Sequence, residues 1–505
     1  MKNSYLNFEH SSANLVRRLM LTFYKTIQVR TFMMATLVLI SGSFFSCGDN
    51  YLDPVPSSAI SADVFYTNED ELLNAVINMY DGIQGVNALD NSDSNANHAI
   101  QVEFYITEMR SDNTKTKSSE GEAAQFENYT LRPTNGIVYD YYRSFYDVLK
   151  RANIVLANID VASEANKAKI EGEAKFIRAY AHFNLVRLFG DIPMADRVIG
   201  IADTDVQFTR TPKAQVYDLI IDDLNAAIAS LNNAYKNRAS KAAAQAMLAK
   251  VYLTLGTNYT EAQVLCEAVI NSGFALEPNF NDVFYNENNN EVIFSIGFLA
   301  NPASDSQGFS AEWLNSVGRS SGVNYVTNEA AAALDAKGGN RAAYSYRIDP
   351  AQPTQKQVAK YFPNGENGGA TGVTFNSNPR AAGNDWIVLR LSDVLLMHVE
   401  AIMAGGASTS AQAALNSFQK VRNRAGLTDV VTSITKEELL DERRVELAFE
   451  NHRLFDLIRF NAAQDVLSAF SAANGYSFTS TDLLLPIPQR EINLSQGMLT
   501  QNPGY

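Results

Sequence analysis

The sequence predicts a mostly α-helical protein that carries long irregular loops and a few short strands. Three observations support this fold class. Most of the chain has apolar residues at the three- and four-residue steps of an amphipathic helix, and only two short segments are typical of strands. Residues from about 271 to 385 are rich in Asn, Gly, Ser and Pro. We therefore expect a helical body with one large loop-rich insertion.

The first 46 residues are typical of a secretory signal peptide. A basic region precedes an apolar stretch at 31–45, and the small residue Ser46 stands directly before Cys47. A bacterial lipoprotein peptidase requires this arrangement, so we expect lipidation of Cys47 and cleavage before it. The apolar stretch is short for a membrane span, although a transmembrane anchor stays open as the alternative. The start of translation is expected at Met1 or at Met20.

The mature chain is acidic. Cleavage before Cys47 removes five basic residues and one acidic residue from a chain that has 41 basic and 55 acidic residues, and it leaves 459 residues with a formal charge of −18. A field of this sign repels phosphate backbones. No cluster of Lys and Arg interleaved with aromatic residues offsets that field, so we expect no nucleic-acid partner.

Composition and periodicity give the order of the elements. Residues 47–68 contain two prolines and little periodicity, which is typical of a tether. Residues 69–505 are expected to form a single globular domain, with helical spacing from Asp70 onward. Eight further helices are predicted at Tyr139–Ile159, Ala165–Phe189, Lys213–Leu231, Ala239–Leu255, Thr260–Asn271, Ser392–Ala404, Ser410–Ala425 and Lys436–Phe460. Short strands are predicted at Glu291–Phe298 and Trp386–Arg390.

Two pairs of consecutive helices have the character of repeats. The spacing of small and aromatic residues from Ala249 to Ala268 is similar to a tetratricopeptide repeat, in which small residues let two antiparallel helices approach closely. A second, weaker pair is joined by Gly405 and Gly406. Ordinary helical hairpins are the alternative for both. Cys266 falls within the first pair, and we expect it to pack as a small core residue.

Aromatic residues are scattered through the loop-rich insertion at about 271–385. Long polar loops on a helical scaffold are a common place for binding function. A second loop rich in Asn and Asp occupies residues 87–98. The candidate ligand-binding residues in or beside these loops are Trp313, Tyr325, Tyr344, Tyr346 and Tyr105. Packing within the loops is the alternative for each of them.

Seven blocks of the mature chain carry recognisable motifs. They are EGEAKFIRAYAHFNLVRLFGDIPM at 171–194, RTPKAQVYDLIIDDLNAAIASL at 210–231, SKAAAQAMLAKVYLTLG at 240–256, WIVLRLSDVLLMHVEAIMAGG at 386–406, ALNSFQKVRNRAGL at 414–427, ELLDERRVELAFENHRLFDLIRF at 438–460, and LLLPIPQREI with the closing QNPGY from 483 onward. In their order and spacing these blocks resemble the SusD/RagB family of outer-membrane nutrient-binding lipoproteins. The resemblance covers essentially the whole mature sequence.

The resemblance implies a SusD-like α-helical fold with tetratricopeptide-like units. It also implies a lipoprotein held at the outer surface of the outer membrane through acylated Cys47. Such a protein caps a TonB-dependent SusC-like transporter and delivers a nutrient, usually an oligosaccharide or polysaccharide. A peptide or another nonglycan nutrient is the alternative ligand.

If the ligand is a sugar, the five candidate aromatics would stack on the C–H face of its rings, while Asn, Asp and Arg side chains would bind its hydroxyls. Trp386 begins one of the family blocks, and we expect it in the core.

The sequence gives little indication of catalysis. A GxSxG pattern at 318–322 lies in a Gly/Ser-rich loop, without the strand and helix that expose a serine nucleophile. A likeness to an EF-hand loop that begins at Asp93 lacks the glycine and the bidentate glutamate. No zinc or P-loop pattern is present. We predict no catalytic residues, cofactor or metal; a helical-scaffold glycoside hydrolase, with two converging carboxylates, is the alternative.

The charged residues of the block at 438–460 have a regular arrangement. From Glu442 to Arg459, acidic and basic residues lie at spacings that permit ion pairs along one helix. We interpret them as structural rather than as an acid/base pair for catalysis.

Overall fold

Helices make up most of the folded chain, which confirms the predicted mostly α-helical fold class. The computed structural model describes residues 66–89, 96–116, 121–287, 289–301, 304–313, 324–348, 353–363 and 378–505. Residues Asn68–Tyr505 form one compact unit. The predicted signal peptide at 1–46, Cys47 and most of the tether at 47–68 lie outside the described residues, as does the GxSxG pattern.

Most helices end within a few residues of their predicted bounds. The α-helices of the described residues are α1 Glu69–Gln84, α2 Glu103–Ile106, α3 Gly121–Glu127, α4 Gly136–Ala157, α5 Lys167–Phe189, α6 Thr204–Phe208, α7 Lys213–Ser230, α8 Lys241–Leu255, α9 Tyr259–Ile270, α10 Asp282–Tyr285, α11 Phe309–Glu312, α12 Asn328–Lys337, α13 Ala342–Ser345, α14 Leu391–Met403, α15 Gln412–Arg424, α16 Lys436–Glu446, α17 Arg453–Arg459, α18 Ala463–Asn474 and α19 Gln489–Leu494. Short 3₁₀ helices lie at Ala99–Val102, Glu108–Arg110, Ile159–Val161, Gly339–Arg341 and Ser480–Leu483.

The strands are few and short, as predicted. They are β1 Thr114–Thr116, β2 Val292–Ile296, β3 Asn324–Val326, β4 Tyr346–Ile348, β5 Lys356–Val358, β6 Trp386–Arg390, β7 Ser408–Thr409 and β8 Ile434–Thr435. Strands β2 and β6 pair antiparallel, with Val292 opposite Arg390 and Ile296 opposite Trp386. A second, antiparallel sheet has the order β1-β3-β5-β4, and β7 pairs with β8. The two strands predicted from the sequence therefore form one small sheet together.

Helix α5 lies at the centre of the first half of the chain. It packs against α4 and α7, and it is buried on nearly every side rather than along the predicted apolar stripe. Its aromatic rings reach the β2–β6 sheet, where Phe176 contacts Phe294 edge to face at 5.2 Å between ring centroids. The core is thus continuous from the first helices to the small sheet.

The two predicted repeat-like pairs form and stack on each other. Helices α8 and α9 pack together, α14 packs against α15, and α9 also packs against α14. The Ser240 hydroxyl caps α8, and Gly256 ends it in the left-handed conformation, with φ of 65°. Cys266 is fully buried on α9, which confirms the predicted core position. Helix pairs that stack on each other in this way are characteristic of helical repeats.

The prediction of one continuous helix at Lys436–Phe460 is wrong. Helix α16 ends at Glu446, and α17 begins only at Arg453. In an unbroken helix the carbonyl of Glu446 would accept a hydrogen bond from the backbone four residues later. Here it accepts instead from Lys360 Nζ at 3.0 Å and from Arg390 Nη2 at 2.8 Å.

A buried carboxylate stabilises the turn between α16 and α17. Phe449 and Asn451 have φ angles of 67° and 61°. Their backbone N–H groups donate to the two carboxylate oxygens of Glu108 at 3.3 and 3.2 Å. Burial raises the pKa of Glu108 to about 7. Periodicity does not detect this break, because Glu108, Lys360 and Arg390, which stabilise it, lie far away in the sequence.

The ion pairs of this block also differ from the prediction. Arg443 and Arg459 pair with Asp456 within the block, both at 2.9 Å. The other charged side chains reach across the fold, as Arg453 does to Asp112 at 2.8 Å. The charges therefore join α16 and α17 to other elements rather than stabilising one helix along its length.

A buried cluster of eight charges, which we call the central ion network, connects the ends of these elements. Its members are Arg341, Lys360, Arg390, Arg424, Glu291, Glu442, Glu446 and Glu450. Arg390, at the end of β6, contacts Glu291 at 2.8 Å, Glu446 at 2.5 Å and Glu450 at 2.7 Å. Burial opposes the ionisation of Glu446, but the guanidinium groups of Arg424, Arg390 and Arg341 hold its pKa well below the ordinary value. Four positive and four negative charges thus balance inside the protein.

We predict that Arg390→Met destabilises the protein strongly. The substitution keeps much of the side-chain volume but leaves three buried carboxylates without their common partner, and such a loss costs about 3–5 kcal/mol. The free energy of unfolding, measured by denaturant titration, is expected to fall by this amount. Lys337→Met is the control, because it removes a partly exposed pair with Asp441 and should cost no more than about 1 kcal/mol. Equal effects of the two substitutions would contradict the structural role of the network.

Candidate functional site

Three irregular segments meet at one place, which we call the loop junction. Their described residues are 85–89 with 96–101, 299–301 with 304–313, and 378–385. The side-chain amide of Asn87 donates to Ser306 Oγ at 3.0 Å and to the carbonyl of Arg380 at 2.7 Å, and it thereby joins all three. Gln101 donates to the carbonyl of Ser306 at 3.1 Å and accepts from the N–H of Gly308 at 3.2 Å. Hydrogen bonds that span more than 200 positions in the sequence therefore hold the loops together.

Backbone contacts reinforce the loop junction. Gln307 and Ala382 exchange N–H···O bonds of 2.9 Å in both directions. Gly308 approaches Asn87 so closely that a Cβ at this position would lie 2.5 Å from the side-chain oxygen of Asn87. Asp385 accepts from the N–H of Phe298 at 3.1 Å, and burial raises its pKa to about 7. The described ends of the loops are therefore held in fixed positions.

Trp313 lies in the core rather than on an open surface. Its side chain is 1% exposed. Its ring centroid is 5.0 Å from that of Tyr361, 5.6 Å from that of Phe104 and 6.4 Å from that of Trp386. Neither face is free to stack on a ligand in this structure, so we correct the prediction for Trp313. Trp386 is 4% exposed, which confirms its predicted core position.

Tyr105 lies beside this aromatic cluster. Its ring is 4.0 Å from that of Phe104, and its hydroxyl donates to the Glu312 carboxylate at 3.3 Å. The side chain is half-buried. Tyr105 and Trp313 are thus brought together through Phe104, but only Tyr105 keeps contact with solvent.

The other three candidates lie on or next to the four-stranded sheet. Tyr344, in α13, is 41% exposed. Tyr346, in β4, donates to Asp335 at 2.7 Å, and burial together with this carboxylate raises its pKa to about 12. Tyr325, in β3, has Lys115 Nζ 5.7 Å from its ring centroid. Because neighbouring strand residues alternate between faces, the register places Tyr325 and Tyr346 on opposite faces of the sheet.

A short segment after β5 connects the sheet to the loop junction. The N–H of Ala359 donates to the carbonyl of Ser345 at 2.8 Å, beside Tyr344 and Tyr346. Three residues later, the carbonyl of Phe362 accepts from Asn384 Nδ2 at 2.9 Å. This segment links the strands that carry the tyrosines to the loop junction, and we call the tyrosines and the loop junction together the loop face.

Sequence reasoning missed the polar residues that build the loop junction, including Asn87 and Gln101. Both are far in sequence from their partners, so no local pattern identifies them. Gly308 and Gly383 are the signals that the sequence offered. A Cβ at Gly383 would lie 2.7 Å from the backbone nitrogen of Ala300, so both glycines mark close crossings of the chain.

The described residues contain neither a cluster of metal ligands nor a membrane-spanning helix. In these ranges no group of three or more His, Cys, Asp or Glu side chains is placed to hold a metal ion. None of the helices described there is both long enough and apolar enough to cross a bilayer.

Stacked helix pairs with a loop face define a class of proteins in which a helical scaffold carries function on its loops. Two family models match the chain, one described as "SusD family" over residues 271–505 and one described as "Starch-binding associating with outer membrane" over residues 50–253. The chain belongs to the SusD family, as the sequence blocks predict.

Relatives agree with this assignment over most of their length. The chain is 28% identical to SusD-like protein P2 of Formosa agariphila over 440 residues, which cover 77% of this chain and 85% of the relative. It is 23% identical to the starch-binding protein SusD of Bacteroides thetaiotaomicron, over 94% of this chain and 98% of the relative. The solved structure of a laminarin-binding SusD-like protein matches with a TM-score of 0.71 and 25% identity, over 87% of this chain and 100% of that one.

We predict that Asn87→Ala loosens the loop junction. The change removes the hydrogen bonds to Ser306 and Arg380, and unpaired buried groups cost about 1–3 kcal/mol. Amide hydrogen exchange at Gln307, Gly308 and Ala382 is expected to become at least tenfold faster, while α8 and α9 keep their exchange rates. Asn416→Ala, on the exposed side of α15, is the control. Unchanged exchange at the loop junction would refute its dependence on Asn87.

Proposed function

We propose that the protein binds a glycan oligosaccharide at the loop face and delivers it to a SusC-like TonB-dependent transporter. The loop junction is the observation that carries this proposal. It holds three segments rich in Asn, Gly and Ser at one place on a rigid helical scaffold, and such convergent polar loops can supply the many hydrogen bonds that sugar hydroxyls need.

Tyrosines that keep contact with solvent add the second requirement for sugar binding. Tyr344, Tyr346, Tyr325 and Tyr105 are the residues proposed to contact the ligand, and Tyr344 is the most open of them. A tyrosine ring buries apolar surface against the C–H face of a sugar with little loss of side-chain entropy. Trp313 packs against Tyr361 in the core next to this region.

The relatives support a binding role. Two of the proteins described above are named for starch and for laminarin binding. We infer a capture protein without catalytic activity, held at the surface of the outer membrane through acylated Cys47. A laminarin-type β-glucan oligosaccharide is the first ligand to test.

Binding of the ligand is expected to depend on the exposed tyrosines. Calorimetric titration of the soluble chain from Gly48, which keeps the whole compact unit, should show saturable binding of an oligosaccharide without release of reducing ends. Tyr344→Ala and Tyr346→Ala are each expected to weaken binding about tenfold, or about 1.4 kcal/mol. Tyr235→Ala is the matched control, because Tyr235 is 50% exposed and is not part of the loop face. Full affinity in both loop-face variants would refute the site.

Membrane attachment is expected to depend on Cys47. Without the thiol no diacylglycerol can be added, so the Cys47→Ser protein should appear as an unlipidated precursor. Metabolic labelling with a fatty acid, followed by gel electrophoresis, measures this directly. Cys266→Ser is the control and should keep its label, since Cys266 is buried in the fold. Labelling of the Cys47→Ser protein would contradict lipid anchoring at this position.

A further inference from the structure

A cavity of about 390 Å³ is lined by residues other than those that define the loop face, although one of them, Arg143, donates to the carbonyl of Ala96 in the loop junction. One wall is a face of α4, with Tyr142, Tyr146, Lys150 and Asn153 at successive turns. Residues of the segment from 193 to 201 and residues 206–208 form another wall. Glu491 of α19 also lines the cavity. The volume falls within the range of sites for small molecules.

Hydrogen bonds fix both walls of the cavity. The Tyr146 hydroxyl donates to the carbonyl of Pro193 at 2.8 Å. Asn153 Nδ2 donates to the carbonyls of Ala195 and Arg197 at 2.8 and 2.9 Å. Further along, Gln207 Nε2 donates to the carbonyl of Gly200 at 2.6 Å. The space is therefore preformed, and these polar groups are already engaged with the protein.

The remaining lining is largely apolar. Its aliphatic members are Pro193, Ala195, Ile199, Ile201 and Val206, and Phe208 adds an aromatic ring. Ile201 is 96% exposed at the rim. A ligand rich in hydroxyls would leave many of them without partners here, at a cost of about 1–3 kcal/mol each. The walls therefore favour a ligand with an apolar body.

Two of the charged side chains that line the cavity have no ion-pair partner among the described residues. Arg143 and Arg197 are paired, with Asp140 at 3.2 Å and with Asp196 at 3.3 Å respectively. Among the described residues, Lys150 and Glu491 form no ion pair. Burial raises the pKa of the Glu491 carboxyl, and the Arg490 guanidinium lowers it only in part.

The two unpaired charges lie at different places along α4. Glu491 lines the cavity together with Tyr142 and Tyr146. Burial raises the pKa of both tyrosines, the nearby Glu491 carboxylate raises it further, and the Arg210 guanidinium lowers it, so Glu491 lies closer to these two residues than to the far end of α4. Lys150 follows these residues by one to two helical turns, or about 6–12 Å along the axis. The cavity therefore has an acidic end and a basic end, separated by apolar walls.

We propose that this cavity is a second binding site, for a short apolar peptide of two or three residues with free termini. Its ammonium group would lie at Glu491, its carboxylate at Lys150, and its side chains between the aliphatic walls. An extended peptide spans about 3.3–3.6 Å per residue, so two or three residues match the separation of the charges. The residues that line this site are not among those that define the loop face, and the proposal does not depend on the proposed glycan binding.

Calorimetric titration with the tripeptide Leu-Ala-Leu tests the proposal. The protein should bind it saturably at one site, and the N-acetylated and C-amidated forms should each bind at least tenfold more weakly. Absence of saturable binding at millimolar peptide, or equal affinity of the blocked and free forms, would overturn the proposal. This comparison uses the unmodified chain and so does not depend on the folding of any variant.

Two substitutions assign the ends of the peptide. In Glu491→Gln, the penalty for N-acetylation should disappear while the penalty for amidation stays. In Lys150→Gln, the opposite is expected, and Lys420→Gln on the exposed face of α15 should change neither. Oligosaccharide binding at the loop face should be unaffected in all three variants. Competition between the tripeptide and the oligosaccharide would refute a separate site, whereas failure of oligosaccharide binding alone would refute only the proposed glycan function.

Discussion

The balanced burial of charge around Arg390 and Glu446 is the constraint on which the second half of the structure depends. Buried ions are costly unless each one is paired and hydrogen-bonded. Here the eight members of the central ion network come from six separate places in the chain, from Glu291 before β2 to Glu450 after α16. The ionised carboxylates can be buried only if these elements assemble together. Formation of this network therefore couples the folding of distant segments.

The network also positions the loops. Arg390 ends β6, and residues 378–385 precede that strand, so fixing β6 places one of the three segments of the loop junction. Glu291 stands directly before β2, which is followed by residues 299–313. Because β2 and β6 are hydrogen-bonded neighbours, both segments leave the same small sheet on the same side of the fold. The hydrogen bonds of Asn87 and Gln101 then attach the third segment.

The helical body could be predicted from the sequence because its information is local. Apolar periodicity located α4, α5, α7, α8, α9, α14 and α15 to within a few residues, and the β6 strand was found with its observed bounds. The break between α16 and α17 could not be found in this way, since Lys360, Arg390 and Glu108 cause it from elsewhere in the chain. Trp313 illustrates the same limit for the site. A tryptophan in a polar loop was expected at the surface, but the neighbouring ring of Phe309 and the distant rings of Phe104, Tyr361 and Trp386 enclose it.

In the proposed function, buried charges within a helical scaffold hold the loop face in place for ligand capture. Hydrogen exchange of the protein with and without a saturating oligosaccharide tests this claim most directly. Exchange is expected to slow at residues 85–89, 96–101, 299–301, 304–313 and 378–385, and to stay unchanged in α8, α9 and the cavity beside α4. Protection confined to the helix pairs or to that cavity, with the loop junction unaffected, would contradict it.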